Sequence, residues 1–539
     1  MEALDWLVIG VFFLALIGII VWVVRQKQND SADYFLGGRD ATWLAIGASI
    51  FASNIGSEHL IGLAGAGASS GMAMAHWEIQ GWMILILGWV FVPFYSRSMV
   101  YTMPEFLERR YNPQSRTILS VISLVSYVLT KVAVTVYAGG LVFQQVFGIK
   151  ELWGIDFFWI AAIGLVVLTA LYTIFGGMKS VLYTSVLQTP ILLLGSLIIL
   201  VLGFKELGGW DEMMRVCGAV TVNDYGDTMT NLIRSNDDAN FPWLGALIGS
   251  AIIGFWYWCT DQFIVQRVLS GKNEKEARRG TIFGAYLKLL PVFLMLANGT
   301  ANADAAFPTL VAKLLPAGVK GLVVCGILAA LMSSLASLFN SSAMLFTIDF
   351  YKRFRPETPE KKLVGIGQIA TVVIVILGIL WIPIMRSVGD VLYTYLQDVQ
   401  SVLAPGIAAA FLLGICWKRT SAQGGMWGLI AGMIIGLTRL GAKVYYSNAG
   451  EVADSTFKYL FYDMNWLFFC GWMFLFCIIV VIVVSLATEA PTAEKIQGLV
   501  FGTATKEQKA ATRASWDHWD IIHTVIILAI TGAFYWYFW

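Results

Sequence analysis

The sequence predicts an all-α integral membrane protein with about fourteen transmembrane helices. Of the 539 residues, 58% are hydrophobic and only 13% are charged, which is about half the charged share of a typical soluble domain. The apolar residues also gather into runs that are long enough to cross a bilayer as helices. The formal net charge of +1 gives no reason to expect a nucleic-acid partner.

The predicted spans follow one another along the chain, and aromatic residues often mark their ends, as interfacial side chains do. The first span is followed by Arg25 and Lys27 without a small-residue cleavage site, so we interpret it as a retained helix. The span beginning at 279 is short, because its apolar run ends at Leu296. The predicted limits are 4–24, 40–70, 74–96, 118–147, 156–175, 181–203, 241–268, 279–298, 319–349, 361–384, 390–416, 424–441, 465–487 and 518–538.

Lysine and arginine concentrate in alternate loops, which predicts the orientation of the chain. By the positive-inside rule these basic loops face the cytoplasm, so both termini are expected outside a multi-pass protein of the cell membrane. The tripeptide Asn298-Gly299-Thr300 falls on the outer side, and we interpret it as a chance match to a glycosylation site. The basic loops are 25–39, 97–116, 267–279, 352–362, 418–419 and 495–509.

Two polar spans, 40–70 and 241–268, each head a set of five spans. Transporters built from inverted repeats place their interrupted helices at corresponding positions of the two halves. The predicted organisation is an extra helix and cytoplasmic linker at 1–39, a first repeat at 40–203, an extracellular loop at 204–240, a second repeat at 241–416 and extra helices at 417–539.

The stretch between Ala52 and Glu78 is unusually polar for a membrane span. It carries Asn54 and His59 among several glycines, and polar groups at membrane depth usually mark a substrate or ion path. Glycines beside them indicate a helix that breaks and exposes its backbone carbonyls. A second apolar helix carries Ser333 and Ser334, whose hydroxyls are suitable sodium ligands. Taken alone, these serines fit ordinary helix packing better than an ion site.

Several other polar residues in or near the spans would suit a polyol. A sugar needs directional donors and acceptors together with an aromatic face for its C–H surface. Glu78 and Lys288 could instead form a structural ion pair, His59 could be a satisfied core residue, and the aromatic pair could be plain core. Their occurrence together favours a binding site made of Asn54, His59, Glu78, Tyr257, Trp258, Lys288 and Gln397.

Five segments between residues 52 and 432 resemble the sodium/solute symporter family, in particular its sodium/glucose cotransporter branch. The resemblance implies a LeuT-like core of five plus five helices in inverted repeat, with discontinuous helices, alternating access and a sugar site near the membrane midplane. The segments are ASNIGSEHLIGLAG, LYTIFGGMKSV, WYWCTDQFIVQRVLSGKN, LMSSLASLFNSSAMLFTIDFYKR and GICWKRTSAQGGMWGLIAG.

The resemblance also implies roles for individual residues. The sugar ligands would be Asn54, His59, Glu78, Lys288 and Gln397, with Tyr257 as an aromatic gate and Trp258 beside it. An outer gate would include Leu63, Trp77 and Tyr393. Sodium would be bound by the carbonyls of Ala52, Ile55 and Ala330 and by the hydroxyls of Ser333 and Ser334.

The chain departs from the family where some members are thought to bind a second sodium ion. Ser185 stands where those members carry an aspartate, and Ala336 replaces a hydroxyl. A second cation would lack its anionic ligand, so we expect one sodium ion per sugar.

The leading hypothesis is therefore a sodium-coupled symporter that imports a monosaccharide of the glucose or galactose type. Another polar solute such as myo-inositol, or a passive channel, remains the alternative, and Glu78 disfavours an anionic solute. No HExxH, GxSxG or P-loop motif indicates an enzyme. The implied ligands are a sodium ion and a sugar, and no required protein partner is inferred.

Overall fold

The computed structural model describes residues 1–26, 30–56, 58–292, 311, 315–385, 392–449 and 453–539. Helices make up most of this part of the chain, which also contains one short antiparallel hairpin of β1 (Glu151–Leu152) and β2 (Ile155–Asp156). Up to that hairpin the α-helices are α1 Ala3–Val24, α2 Ser31–Leu36, α3 Trp43–Asn54, α4 Ala64–Ser70, α5 Ala75–Glu78, α6 Gly81–Ile86, α7 Val92–Ser98, α8 Met103–Arg110, α9 Pro113–Ser126 and α10 Ala133–Phe147.

The second half of the chain continues in the same way. Its helices are α11 Phe157–Leu207, α12 Trp210–Gly218, α13 Trp243–Gly254, α14 Gln262–Leu269, α15 Glu274–Lys288, α16 Val319–Met344, α17 Lys352–Phe354, α18 Glu360–Met385, α19 Leu392–Cys416, α20 Ala422–Asn448, α21 Thr456–Lys458, α22 Trp466–Ala487, α23 Ala493–Ile496, α24 Lys506–Ala514 and α25 His518–Tyr537. Wider π-helical turns occupy Glu58–Leu63, Leu87–Phe91, Tyr127–Val132, Phe255–Thr260, Leu345–Tyr351 and Tyr459–Asp463, and 3-10 turns occupy Gly37–Arg39 and Gly71–Met74.

The prediction of an all-α membrane protein is confirmed. Within the described residues, ten helical stretches are long and apolar enough to cross a bilayer, and α3 and α10 are shorter apolar helices. The two spans expected at 156–175 and 181–203 lie in the single assigned helix α11, which bends at Gly177, where φ is 52° and ψ is −147°. A Cβ atom at Gly177 would lie 2.4 Å from the carbonyl oxygen of Tyr34, so the bend requires glycine. The number fourteen stays a prediction.

Both polar spans that were expected to be interrupted are interrupted. α3 ends at Asn54, Ile55 leaves helical geometry with ψ of 84°, and the chain resumes as a π-helical turn at Glu58–Leu63 before α4. In the other span, α13 widens into the turn Phe255–Thr260, and extended Asp261 separates it from α14. π-Helical turns occur often at functional sites, and here they carry His59 and Tyr257.

The core of the molecule is α16, which is buried along almost its whole length and packs against α11 and α3. α3 and α15 also lie very close together, because a Cβ atom at Gly47 would be only 2.8 Å from the carbonyl oxygen of Gly280. This packing brings the broken end of α3 near both α16 and α15. The short span near 279–298 extends beyond the described residues, which end at 292 in this part of the chain. The tripeptide at Asn298 lies outside the described residues.

Candidate functional site

A small cavity of about 40 Å³ lies between the two interrupted helices. It brings together residues that are up to 346 positions apart in the chain, from Asn54 to Gln400. All seven predicted sugar ligands line it. Together with them it is lined by Trp77, Gln80, Lys131, Ile253, Gly254, Phe263, Ser334, Leu338, Leu396 and Gln400.

The break in α3 releases backbone carbonyls from the helical hydrogen-bond ladder. In an uninterrupted helix, the N–H of Gly56 would donate to Ala52 and the N–H of His59 to Ile55. Here Gly56 donates to the carbonyl of Asn54 at 3.0 Å, and His59 donates to that of Gly56 at 3.2 Å. The carbonyls of Ala52 and Ile55, both predicted to bind sodium, are thereby freed from those bonds.

Hydroxyl groups from α16 face this break. The hydroxyl of Ser334 donates to the carbonyl of Ser53 at 2.9 Å, and the hydroxyls of Ser53 and Ser337 are 2.7 Å apart. The hydroxyls of Ser333 and Ser185 are 3.3 Å apart. These neutral oxygens are hard ligands of the kind that sodium prefers. Ala330 lies one turn before the two serines on α16 and is buried.

Ser185 does not place a charge in this cluster. Its hydroxyl donates to the carbonyl of Val181 at 2.6 Å, as hydroxyls in membrane helices often do. Ala336 contributes no hydroxyl. Among the described residues, no group of three or more His, Cys, Asp or Glu side chains could hold a metal ion. The oxygen set proposed for sodium is therefore uncharged.

The polar end of the cavity contains a buried charged cluster. The ammonium of Lys288, at the end of α15, donates to Oε2 of Glu78 at 2.7 Å, and Nε2 of His59 lies 3.4 Å from Oε1 of the same carboxylate. Glu78 is fully buried and Lys288 is 2% exposed. The charges of Glu78 and Lys288 compensate each other, so this end can offer strong hydrogen-bonding groups without an excess charge.

The aromatic wall comes from the π-helical turn of the second interrupted helix. The rings of Tyr257 and Trp258 meet edge to face with 4.9 Å between their centroids. The indole N–H of Trp258 donates to Oε1 of Gln80 at 3.1 Å, and Nε2 of Gln80 donates to the carbonyl of Ser250 at 2.8 Å. Gln80 therefore holds the orientation of Trp258. It was not among the predicted site residues, although it lies only two positions after Glu78.

Asn54 connects the two interrupted helices. Its side-chain Nδ2 donates to the hydroxyl of Tyr257 at 3.1 Å. Its Oδ1 atom is buried and has no hydrogen-bond partner within the described structure, and the same is true of Oε1 of Gln397. Buried acceptors without a partner are costly, and both belong to residues that line the cavity. A solute that donates hydroxyl protons would satisfy them.

A second buried ion pair at the cavity was missed by the sequence prediction. The ammonium of Lys131 donates to Oδ2 of Asp261 at 2.6 Å, and the hydroxyl of Tyr127 donates to the other oxygen. Lys131 also lies 4.6 Å from the ring centroid of Tyr257. An ionisable residue inside the predicted span 118–147 could have signalled it. Gln400 and Phe263 are further lining residues without a specific sequence signal.

The three predicted outer-gate residues differ in their position relative to the cavity. Trp77 lines the cavity and stacks on Trp466 at 5.5 Å between ring centroids. Leu63 is fully buried but does not line the cavity. Tyr393 lies in α19, and its side chain is outside the described part of the structure. Of these three residues, only Trp77 is therefore seen at the cavity.

Known proteins resemble this chain over most of its length. The family model "Sodium:solute symporter family" matches residues 34–432. The mouse (Mus musculus) sodium/myo-inositol cotransporter 2 is 36% identical, covering 93% of this chain and 80% of the relative. The rabbit (Oryctolagus cuniculus) sodium/glucose cotransporter 1 is 37% identical over 90% and 79%. The rat (Rattus norvegicus) sodium/glucose cotransporter 2 is 36% identical over 94% and 82%.

Solved structures share the fold. A Na⁺-coupled sialic acid symporter in a substrate-bound outward-open state superposes with a TM-score of 0.72 at 20% identity, covering 91% of this chain and 99% of that one. The nucleobase-cation-symport-1 family transporter Mhp1 gives a TM-score of 0.50 at 13% identity, covering 90% and 99%. These structures support the LeuT-like fold. The family match over most of the chain and the relatives at 36–37% identity show that the protein belongs to the sodium:solute symporter family and is a sodium-coupled transporter rather than an enzyme.

Proposed function

We propose that the protein imports a monosaccharide of the glucose or galactose type by alternating access, with one sodium ion per sugar. The observation that carries this proposal is the cavity itself. It gathers the predicted sugar ligands around one space, and Ser334 of the predicted sodium site lines the same space. A single segment, Ala52–His59, thus contributes to both proposed ligand sites.

The chemistry of the cavity favours an uncharged polyol. The Glu78–Lys288 pair presents donors and acceptors whose charges already compensate each other. The acceptors Asn54 Oδ1 and Gln397 Oε1 can receive hydroxyl protons. Tyr257 and Trp258 offer ring surface for C–H groups. An anionic solute would find no excess positive charge at the Glu78–Lys288 pair to compensate the loss of its hydration.

Coupling would act through the broken end of α3. A sodium ion bound by the carbonyls of Ala52 and Ile55 and the hydroxyls of Ser333 and Ser334 would hold this segment against α16. That contact would order the adjacent Asn54 and raise the affinity for sugar. Linkage requires the same coupling energy in the other direction, so sugar should also tighten sodium binding.

One sodium ion is energetically sufficient for accumulation. Moving one charge through 100 mV is worth about 2.3 kcal/mol, and a tenfold sodium gradient adds about 1.4 kcal/mol. Their sum corresponds to roughly 500-fold accumulation of sugar. The uncharged surroundings of Ser185 and Ala336 support one ion rather than two.

Myo-inositol is the second candidate solute. It is also an uncharged ring with hydroxyls on every side, and a relative of high similarity is named as a sodium/myo-inositol cotransporter. The polar groups of the cavity suit either ring.

For the membrane orientation, we propose from the basic loops that both termini lie outside the cell.

The function can be tested by uptake into proteoliposomes. We expect saturable uptake of glucose or galactose that requires an inward sodium gradient, and we would run myo-inositol and the other hexoses in the same panel. Uptake of myo-inositol but of no hexose would show that myo-inositol is the transported solute. Non-saturable uptake without sodium dependence would indicate a channel.

The ion site can be tested by Ser334→Ala. This change should weaken the apparent sodium affinity about tenfold, since it removes one hydroxyl ligand of the cation. Ser342→Ala is the matched control, because Ser342 is equally buried on the same helix, two turns further along. Equal sodium dependence of the two variants would contradict the site.

A further inference from the structure

The short helix α5, Ala75–Glu78, carries two residues of the transport cavity. Trp77 and Glu78 line the cavity, whereas their neighbour His76 does not. A helix of four residues is about one turn, and so short a helix is not stable by itself. The position of α5, and with it the direction of both lining side chains, must therefore be set by contacts with the rest of the molecule.

His76 makes such contacts with both of its ring nitrogens. Nδ1 lies 2.9 Å from the hydroxyl of Tyr535 near the end of α25, and Nε2 lies 3.1 Å from the carbonyl oxygen of Leu232. Because a carbonyl can only accept, Nε2 carries the proton of the neutral ring, and Nδ1 accepts from Tyr535. His76 is 1% exposed, so both bonds are shielded from water.

Leu232 belongs to the loop between α12 and α13, and it joins the histidine to the end of α25. Its N–H donates to the carbonyl of Phe538 at 2.9 Å, while its own carbonyl accepts from His76. The indole N–H of Trp210 on α12 also donates to the hydroxyl of Tyr537 at 2.9 Å. A continuous set of hydrogen bonds therefore connects α5, this loop and the end of α25.

The same loop also holds the turn that precedes α5. The N–H of Met72 donates to the carbonyl of Met229 at 2.8 Å, and the guanidinium of Arg234 donates to the carbonyl of Ser70. Gly71 has φ of 61°, and a Cβ atom there would lie 2.2 Å from the carbonyl oxygen of Met229, so this approach requires glycine. The chain that enters α5 is thus fixed by the loop that contacts its histidine.

We propose that His76 is a positioning residue of the solute site. It holds α5 so that Trp77 and Glu78 face the cavity, and it is itself held by Leu232 and Tyr535. The inference rests on the proposed function, because it takes Trp77 and Glu78 as residues that meet the solute. Neither Leu232 nor Tyr535 lines the cavity. Loosening their bonds to His76 should therefore weaken solute binding without removing any group that touches the solute.

The first test is Tyr535→Phe, which removes one hydrogen bond to His76 and keeps the ring. Half-maximal uptake should require about threefold more solute, within the range of one neutral hydrogen bond, while the maximal rate at saturating solute stays near that of the wild type. Tyr286→Phe is the matched control. The hydroxyl of Tyr286 lies 3.0 Å from Nδ1 of His523 on the same helix α25, and neither residue lines the cavity.

A second pair of variants tests the histidine itself. His76→Leu removes both hydrogen bonds and should raise the solute concentration for half-maximal uptake about tenfold. His76→Gln keeps an amide donor for the carbonyl of Leu232 and should recover part of this loss. A purely steric role of the histidine would make the two variants equal, and that result would contradict the proposal.

A measurement without transport separates this inference from the proposed function. Hydrogen–deuterium exchange of peptides that cover residues 71–80 should be faster in Tyr535→Phe than in the wild type, because α5 opens more often, and unchanged in Tyr286→Phe. If the wild type carries no hexose or myo-inositol, the proposed substrate is wrong, and the exchange result still decides whether these contacts hold α5. Unchanged exchange in Tyr535→Phe, an unchanged half-maximal concentration, or equal effects of Tyr286→Phe would overturn the positioning role.

Discussion

At the scale of single residues, Glu78 has the most demanding environment in the cavity. It is fully buried, and its two carboxylate oxygens face Lys288 and His59. A buried ion pair contributes little net stability, but removing one partner leaves a charge that the interior cannot solvate. The Glu78–Lys288 pair can therefore have a structural role, a substrate-binding role or both. A structural role predicts an effect on stability, and a substrate-binding role predicts a loss of sugar transport.

Lys288→Met should destabilise the protein by about 3 kcal/mol, because it removes the ammonium 2.7 Å from Glu78. Glu78→Gln combined with Lys288→Met should recover most of the apparent melting temperature in detergent, since no uncompensated charge remains. Neither variant should transport sugar if the pair binds it.

Lys458→Met is the control for this comparison. Its partner Asp454 is 95% exposed, so the apparent melting temperature should change little. Normal sodium-driven uptake by the double variant would mean that the Glu78–Lys288 pair is purely structural.

At the scale of elements, Gln80, which lies between α5 and α6, holds the second interrupted helix in place through Trp258 and Ser250. This side chain lies between the turn that carries Trp258 and the helix α13 that precedes it. A Cβ atom at Gly254 would lie 2.6 Å from Oε1 of Gln80, so only glycine leaves room for the amide that holds Trp258.

Gly254→Ala should therefore displace Gln80 and release the indole of Trp258. We expect the apparent sugar affinity to fall about fivefold, the equivalent of about one buried hydrogen bond, while sodium affinity changes little. In a Gln80→Ala background the same substitution should cost much less, because the clash and the hydrogen bond are already gone.

The readout for this cycle is the concentration of sugar that gives half-maximal uptake. Gly164→Ala serves as control, since a Cβ atom there would meet nothing within 4 Å. If the loss of sugar affinity in the double variant equals the sum of the losses in the two single variants, Gly254 acts independently of Gln80.

The sequence predicted the interrupted helices because polar residues inside apolar spans cost free energy in a membrane, and the glycines beside them indicate that the helix breaks there. It also supplied Asn54, His59, Glu78 and Lys288, which the structure gathers around one cavity. It did not supply Lys131 or Gln80. A sequence shows that such a side chain is expensive at membrane depth, whereas its partner, Asp261 or Trp258, becomes visible only when distant helices pack together.

At the scale of the whole molecule, the number of coupled ions determines how far the membrane potential can drive sugar uptake. The hydroxyl cluster around Ser333 contains no carboxylate, because Ser185 stands at the position where some relatives were expected to carry one. Under the proposed stoichiometry this site binds one cation, and the proposed sugar carries no charge. Each transport cycle should then move one positive charge.

This stoichiometry can be measured as a reversal potential in proteoliposomes with equal sodium on both sides. For one charge per sugar, a tenfold sugar gradient should be balanced by about 59 mV, and for two charges by about 30 mV. We expect the larger value together with a sodium dependence of uptake that has a Hill coefficient near one. A balance point near the smaller value would require a second cation site, and it would contradict the assignment of Ser185 and Ala336 as residues that exclude one.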